Sequence, residues 1–289
     1  MTKKDTIVGI VGSGIVGQAT GKGLVKKGFS NVFFIDIDKE KLEKISLEGF
    51  LTRHVDDDLP DIDVYFMCIQ TPTLDSGEAD TDYMENALRS VGQKIKTQEK
   101  FPIVLTRSTV PVGSGEKLIV PTLEKESGKE NNVDFGVCSN PEFLREKSAL
   151  EDFLNPRIII LGCEDDKTLS ISKDLYSVFD VPVHILSMKE AEVQKYVHNL
   201  FNATKISFFN EQRRVFQDSG LDVDKIFKAV SISSEASWNQ EYGIGNFGPY
   251  GGSCLPKDVK AFITWAEKEK GIKVPLLKAV DQVNENTIS

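Results

Sequence analysis

The amino-acid sequence predicts an α/β protein in which a doubly wound parallel sheet is followed by an all-helical domain. Three observations predict it. Up to Leu186, short β-branched apolar runs alternate with helix-like segments, the pattern of repeated βαβ units. A glycine turn follows the first apolar run and opens a helix. After Leu186 no strand candidate occurs.

Each element follows from its own residues. Ile7–Val11 reads as the first strand, and Gly12, Gly14 and Gly17 lead from it into a helix. Val32–Ile35 is the second strand, ending at Asp36, with Lys41 on the helix that follows. Further strands are expected at Val64–Ile69, Ile103–Thr106, Phe135–Cys138, Ile158–Leu161 and Val183–Leu186. Most are apolar on both faces, as strands buried inside a parallel sheet should be. Helices are expected at Tyr83–Thr97, Gly115–Glu126 and Lys167–Phe179. From Ser187 to about Asp218 there is one long helical stretch without proline or glycine, then shorter helices at Val223–Ala229, Pro256–Lys270 and Pro275–Asn284. The expected division is residues 1–186 for the sheet domain and 187–289 for the helical domain. A helix of about 30 residues exceeds what a small domain needs, so it is expected to pack against a partner chain as a homodimer.

Composition narrows the function. With 289 residues, 40% hydrophobic and 27% charged, the chain is an ordinary globular protein. Its net charge of -9 argues against nucleic acid and against an anionic membrane surface. No apolar run approaches the roughly 20 residues of a membrane span, and the N-terminus does not read as a signal peptide. The cytoplasm, with reduced thiols, is the expected compartment. Cys68, Cys138, Cys163 and Cys254 show no C-x-x-C pairing, and His54, His184 and His198 no ligand spacing, so no metal site is expected.

Gly12, Gly14 and Gly17 form G-x-G-x-x-G between a strand and a helix. The first permits the tight turn, the second a close approach to a pyrophosphate, and the third close packing of helix on strand. The helix N-terminus then presents unpaired N–H groups to the phosphates. Asp36, about 20 residues on, can accept hydrogen bonds from both ribose hydroxyls and would repel a 2′-phosphate, which favours NAD over NADP. Lys41 either supports the adenosine end or is a solvated lysine. The expectation is a Rossmann-type domain.

The segment Gly251-Gly252-Ser253-Cys254-Leu255-Pro256-Lys257-Asp258 carries the second signal. Glycines lead into a cysteine, and Pro256 sits where a first helical turn accepts it. A helix N-terminus beside a lysine favours the thiolate, the nucleophilic form. Cys254 is the only cysteine outside a predicted strand or its immediate end; the other three read as core residues. By residue chemistry alone, a plain structural cysteine remains the alternative for Cys254.

Taken together, the motifs resemble the UDP-glucose/GDP-mannose 6-dehydrogenases, a family of nucleotide-sugar dehydrogenases. The resemblance runs through Gly12–Gly17 and Asp36, Gln70-Thr71-Pro72-Thr73, and Ser108-Thr109-Val110-Pro111-Val112-Gly113. It continues through Ser139–Glu146, Glu151–Pro156, Glu190-Ala191-Glu192, Lys195, Asn199, Thr204–Ser207, Asn210-Glu211 and the Cys254 segment. It implies two hydride transfers to NAD, taking a primary alcohol through an aldehyde to a carboxylate, with a role in polysaccharide biosynthesis. The aldehyde is captured by the cysteine as a thiohemiacetal, oxidised to a thioester and hydrolysed.

By resemblance, Cys254 is the nucleophile, Lys195 and Asp258 handle protons and a bound water, and Asn199 donates to the oxyanion. Thr109 positions the water and Glu146 activates it for hydrolysis. Ile15, Val16, Thr71, Thr73, Thr109 and Lys257 lie along the cofactor. Glu142, Phe143, Leu144, Arg145 and Gly251, with Lys195 and Asn199, line the sugar pocket. Lys195 and Asn199 share an i, i+4 spacing on the long helix, beside an apolar stripe of Val193, Val197 and Leu200. Glu142 and Glu146 have the same spacing, and two carboxylates near a thiol suit general-base work.

Two departures qualify the resemblance. The family normally carries a further nucleotide-sugar-binding domain after the helix ending near Asn284, whereas the sequence stops at Ser289. The Arg-Ile-Gly that the family often has in this loop is absent from Ser231–Gly248, and the Gly245–Tyr250 loop keeps only the glycine and aromatic character. Two alternatives therefore stay open: an NAD-binding subunit whose missing domain comes from a separate partner, and a single-step β-hydroxyacid-type dehydrogenase.

Overall fold

The computed structural model describes residues 3–245, 248–252 and 254–287. Ser253 of the cysteine segment and Asn246 and Phe247 of the preceding loop lie outside the described residues.

Eight strands form one sheet in the order β3-β2-β1-β4-β5-β6-β7-β8. They are β1 (Ile7–Val11), β2 (Asn31–Asp36), β3 (Leu51–His54), β4 (Val64–Met67), β5 (Ile103–Thr106), β6 (Gly136–Ser139), β7 (Ile159–Cys163) and β8 (Val183–Leu186). The order reverses between β1 and β4, which pair in parallel from Val8↔Val64 to Val11↔Met67. A doubly wound sheet opens its ligand crevice at such a switch point, beyond the carboxyl ends of the strands. All pairs are parallel except β6 with β7, which run antiparallel at Cys138↔Cys163 and Ser139↔Gly162.

The helices on this sheet are α1 (Ile15–Lys26), α2 (Lys39–Leu47), α3 (Asp82–Thr97), α4 (Val120–Ser127), α5 (Ala149–Leu154) and α6 (Asp166–Tyr176). A π-helical turn, Gly115–Ile119, runs directly into α4. Because side chains alternate across a strand, each strand feeds two cores. Val64 and Phe66 of β4 pack with Leu24 of α1, Phe153 of α5 and Leu175 of α6. Tyr65 and Met67 pack on the other face with Leu88 of α3 and Leu123 of α4. All four β4 side chains are fully buried, which explains why no polar residue interrupts the run.

β3 was not expected. Leu51-Thr52-Arg53-His54 alternates exposed and half-buried residues at the sheet edge, so it lacks the apolar run that marks the inner strands.

The helical part comprises α7 (Met188–Val215), α8 (Val223–Ser233), α9 (Glu235–Trp238), α10 (Leu255–Glu269) and α11 (Pro275–Asn286). Its core is small: Val215, Ala266, Val274 and Leu277 are buried, with Phe208, Phe216, Phe262 and Trp265 packed against them. By contacts the chain divides into two compact units, residues 1–197 and 198–289. The division falls inside α7 because its first turns belong to the sheet unit: Met188, Ala191, Glu192 and Lys195 are all buried. The apolar stripe of Val193, Val197 and Leu200 is 41%, 58% and 62% exposed in the single chain. The helix turns its neighbouring face inward, charges included.

Candidate active site

The glycine turn sits at the switch point. Gly12 follows β1 with φ +92°, and its N–H donates to the Ile35 carbonyl at 2.8 Å. A side chain at Gly12 would place its Cβ 2.5 Å from the Cys68 carbonyl oxygen, and one at Gly17 would come 1.9 Å from the Gly12 carbonyl oxygen. Gly14, the N-cap of α1, is different: nothing lies within 4 Å of an added Cβ. The turn is packed on itself at Gly12 and Gly17 and open at Gly14, the cradle a diphosphate requires. Ile15 begins α1 half-exposed and Val16 packs on the core.

Asp36 ends β2 beside this turn. Its carboxylate accepts from Ser13 N at 2.6 Å and from Asp38 N at 3.0 Å. Lys41 Nζ lies 3.5 Å from Asp36 and 3.8 Å from Asp38, so this lysine is held by the two carboxylates. The Ser13 N–H, the one donor that reaches Asp36 from the glycine turn, holds the carboxylate beside that turn, where ribose hydroxyls would bind.

The next wall comes from the ends of β4 and β5. The Thr71 hydroxyl donates to the Thr109 carbonyl at 2.7 Å, and Ser108 Oγ donates to the Ile69 carbonyl at 2.6 Å. Two of the expected site threonines are thus joined directly. Thr73 lies further out, exposed, in a bridge with Ala79.

Lys195 and Glu142 meet. Lys195 Nζ is 3.1 Å from Glu142 Oε1, donates to the Glu142 carbonyl, and stands over the Phe143 ring at 5.4 Å. The other carboxylate oxygen of Glu142 accepts from Leu144 N at 2.5 Å. With side-chain exposures of 7% and 13%, this is a buried pair. Removing one partner of such a pair leaves the other charged and desolvated, at about 3–5 kcal/mol.

Glu146 does not share a face with Glu142. Residues 141–145 are not helical, so their four-residue spacing carries no i, i+4 meaning. Glu146 opens a 3₁₀ turn and lines an open cleft of about 630 Å³ with Ile15, Gln18 and Lys22. That brings it beside the first turn of α1. The Arg145 guanidinium forms a two-pronged pair with Asp152, Nη2 to Oδ1 at 2.6 Å and Nε to Oδ2 at 3.0 Å, which holds the Asp152 carboxyl well below the usual carboxylate range.

In the helical unit, Cys254 is the N-cap of α10, and its carbonyl accepts from Asp258 N at 2.9 Å. It is exposed, whereas Cys68 and Cys138 are buried in the sheet and Cys163 is half-buried. Burial pushes the Cys68 thiol up to about 12, far from a reactive thiolate. Lys257 Nζ pairs with Asp258 Oδ1 at 3.0 Å, both well exposed. Gly251 is exposed ahead of the cysteine, and Asn199 is exposed one turn beyond Lys195 on α7.

Residues 46–180 match the UDP-glucose/GDP-mannose dehydrogenase family, NAD binding domain, and residues 189–286 match the central domain of the same family. GDP-mannose 6-dehydrogenase of Pseudomonas putida is 30% identical over 97% of this chain and 68% of its own length. The chain belongs to the UDP-glucose/GDP-mannose dehydrogenase family.

UDP-glucose 6-dehydrogenase TuaD of Bacillus subtilis is 32% identical over 96% of this chain and 62% of its own length. A GDP-mannose 6-dehydrogenase of Pseudomonas aeruginosa is matched over 52% of its length, so the chain spans about half to two-thirds of these relatives. Among solved structures, the ternary complex of GDP-mannose dehydrogenase from P. aeruginosa has a TM-score of 0.89 at 29% identity, covering 96% of this chain and 68% of that one. UDP-glucose dehydrogenase from Pyrobaculum islandicum has a TM-score of 0.71 at 32% identity, covering 97% and 68%.

The cofactor of this family domain is NAD. The domain match begins after the glycine turn, and the turn fits the cofactor on its own geometry through Gly14 and Asp36. Two contacts escaped the sequence reading. Ser13 ties the glycine turn to Asp36 through its backbone, which no side-chain pattern reveals. Glu192 accepts from Gly113 N at 2.5 Å and Gly115 N at 2.7 Å. Met188, Ala191, Glu192 and Lys195 form an i, i+3, i+4, i+7 stripe on the buried face of α7, but two charges within it hide that face from the apolar pattern.

Proposed function

We propose that this chain oxidises the primary alcohol of a nucleotide sugar, of the UDP-glucose or GDP-mannose type, to the carboxylate in two steps. The observation that carries the reading is Cys254, an exposed thiol at the N-cap of α10 among cysteines otherwise held in the sheet.

Gly12, Gly14, Gly17 and Asp36 hold NAD, with Thr71, Thr73, Thr109 and Lys257 along it; when bound, it accepts hydride from the sugar carbon. The chain's own residues then manage protons and covalent bonds. Asp258, through a bound water, takes the alcohol proton as the first hydride leaves, with the Lys195 ammonium beside the oxygen. The Cys254 sulfur adds to the aldehyde carbon, and Asn199 donates to the oxygen of the resulting thiohemiacetal. Loss of the second hydride gives a thioester. Water activated by Glu146 and positioned by Thr109 adds to it, the C–S bond breaks, and the thiolate leaves. The balance is alcohol, water and two NAD giving carboxylate, two NADH and three protons. Capture on sulfur keeps a reactive aldehyde from leaving.

The proposed assembly is a homodimer through α7. Leu200, Phe201 and Ile206 are each 62% exposed along its middle, apolar side chains that a partner helix would cover.

Replacing the sulfur tests the reading. Cys254→Ser, assayed with UDP-glucose and GDP-mannose, should lose carboxylate formation by about a hundredfold or more while NAD affinity stays within twofold. Turnover near wild type in that variant would contradict it.

A further inference from the structure

We infer that Glu192 is a positioning residue that fixes the Thr109 turn against the lysine-bearing start of α7, an inference that rests on the roles proposed for Thr109 and Lys195. Glu192 is 4% exposed. Its two carboxylate oxygens each take one backbone N–H, Oε2 from Gly113 at 2.5 Å and Oε1 from Gly115 at 2.7 Å. These amides flank the start of the helical stretch 115–127, where N–H groups lack intrahelical acceptors and the dipole favours an anion.

The joint is shaped for this contact from both sides. Gly113 has φ +88°, which aims its N–H in a conformation that a side chain would strain. At Gly115 an added Cβ would lie 2.3 Å from Met188 Sδ and 3.2 Å from Glu192 Oε1, so a side chain there would push these two α7 side chains aside. At the other end of the same turn, Ser108 and Thr71 tie it to the end of β4. Thr109 is therefore held between two anchors, and Glu192 is the one on the helix that also carries Lys195. One turn further on, Lys195 is held by Glu142, so a shift of α7 at Glu192 moves both.

Burial pushes the Glu192 carboxyl up, against the pull of the two amides; Glu116 on the facing turn pushes the same way and Lys189 on α7 opposes it. The carboxylate is retained in an unfavourable setting because no neutral side chain offers two acceptors to two amides set this way.

Two substitutions disturb the joint from opposite sides. Glu192→Gln keeps the shape but sets an amide N–H₂ against one backbone N–H; Gly115→Ala wedges in a methyl and keeps the charge. Hydrogen exchange of segment 108–115, NAD affinity and NADH production should be measured for both. Expected are faster exchange across 108–115, an unchanged NAD-binding stoichiometry with affinity no more than about tenfold weaker, and kcat lowered about ten- to a hundredfold, the usual cost of a misplaced group. Combined with Thr109→Ala, either substitution should add less than its own separate loss. Unchanged exchange, or kcat and NAD-binding stoichiometry falling in parallel as in partial unfolding, overturns the inference. If the wild-type chain turns over neither sugar nucleotide, the proposed function falls, and exchange across 108–115 still decides whether Glu192 holds the turn.

Discussion

At Gly17 a single methyl group decides whether the glycine turn can form. Its Cβ would come 1.9 Å from the Gly12 carbonyl oxygen, a backbone atom that cannot move without opening β1 from α1. Gly14 has open space at the same place. The two substitutions should therefore fail differently. Gly17→Ala should lower the melting temperature of the cofactor-free protein and weaken NAD by more than tenfold, roughly 1.4 kcal/mol. Gly14→Ala should melt with the wild type and lose only NAD affinity, because its methyl meets the cofactor. Calorimetry with and without NAD separates them; equal melting losses would contradict the assignment. At this scale the sequence was informative where spacing encodes geometry, as in the glycine turn, Asp36 and the proline-led helix after Cys254. It was silent where backbone atoms make the contact, as between Ser13 and Asp36. It misled at Glu142 and Glu146, whose spacing has meaning only on a helix.

α7 joins the elements, and it does so by capping other helices. Glu192 serves the turn before α4, and Glu211, 6% exposed, accepts from Leu276 N at 2.9 Å and Leu277 N at 3.1 Å at the start of α11. Pro275, which has no N–H, opens that helix, so the glutamate takes the next two amides. Its own start is capped as well: Ser187 and Glu190 bond reciprocally, Ser187 N to Glu190 at 2.8 Å and Glu190 N to Ser187 Oγ at 3.2 Å, a capping box. Glu211→Ala leaves one buried and one half-buried amide unpaired and should destabilise the helical unit by about 1–3 kcal/mol. Hydrogen exchange should show the loss in α11 and not in β1 or β4; a loss spread evenly over both units would contradict it. The length of α7 was legible from the missing glycine and proline. Which face it buries was not, because Glu192 and Lys195 occupy positions where a pattern reader looks for leucine. β3 escaped for the converse reason, being half-exposed at the sheet edge.

For the whole molecule, the fold class and family were readable because several spaced motifs lie in one order along one chain. The direction of β7 was not: Cys163 and Gly162 pair antiparallel to β6, and an apolar strand carries no mark of its direction. The apolar side chains along α7 lead to an expectation about assembly. Light scattering at micromolar concentration should give twice the 32.1 kDa chain mass, and Leu200→Glu should shift it toward the monomer; a wild-type monomer would contradict the dimer. The chemistry has a more direct test. With limiting UDP-glucose or GDP-mannose and excess NAD, the account predicts two NADH for each sugar nucleotide consumed and a carboxylate product. One NADH for each, with the aldehyde released, would contradict the cysteine-bound path.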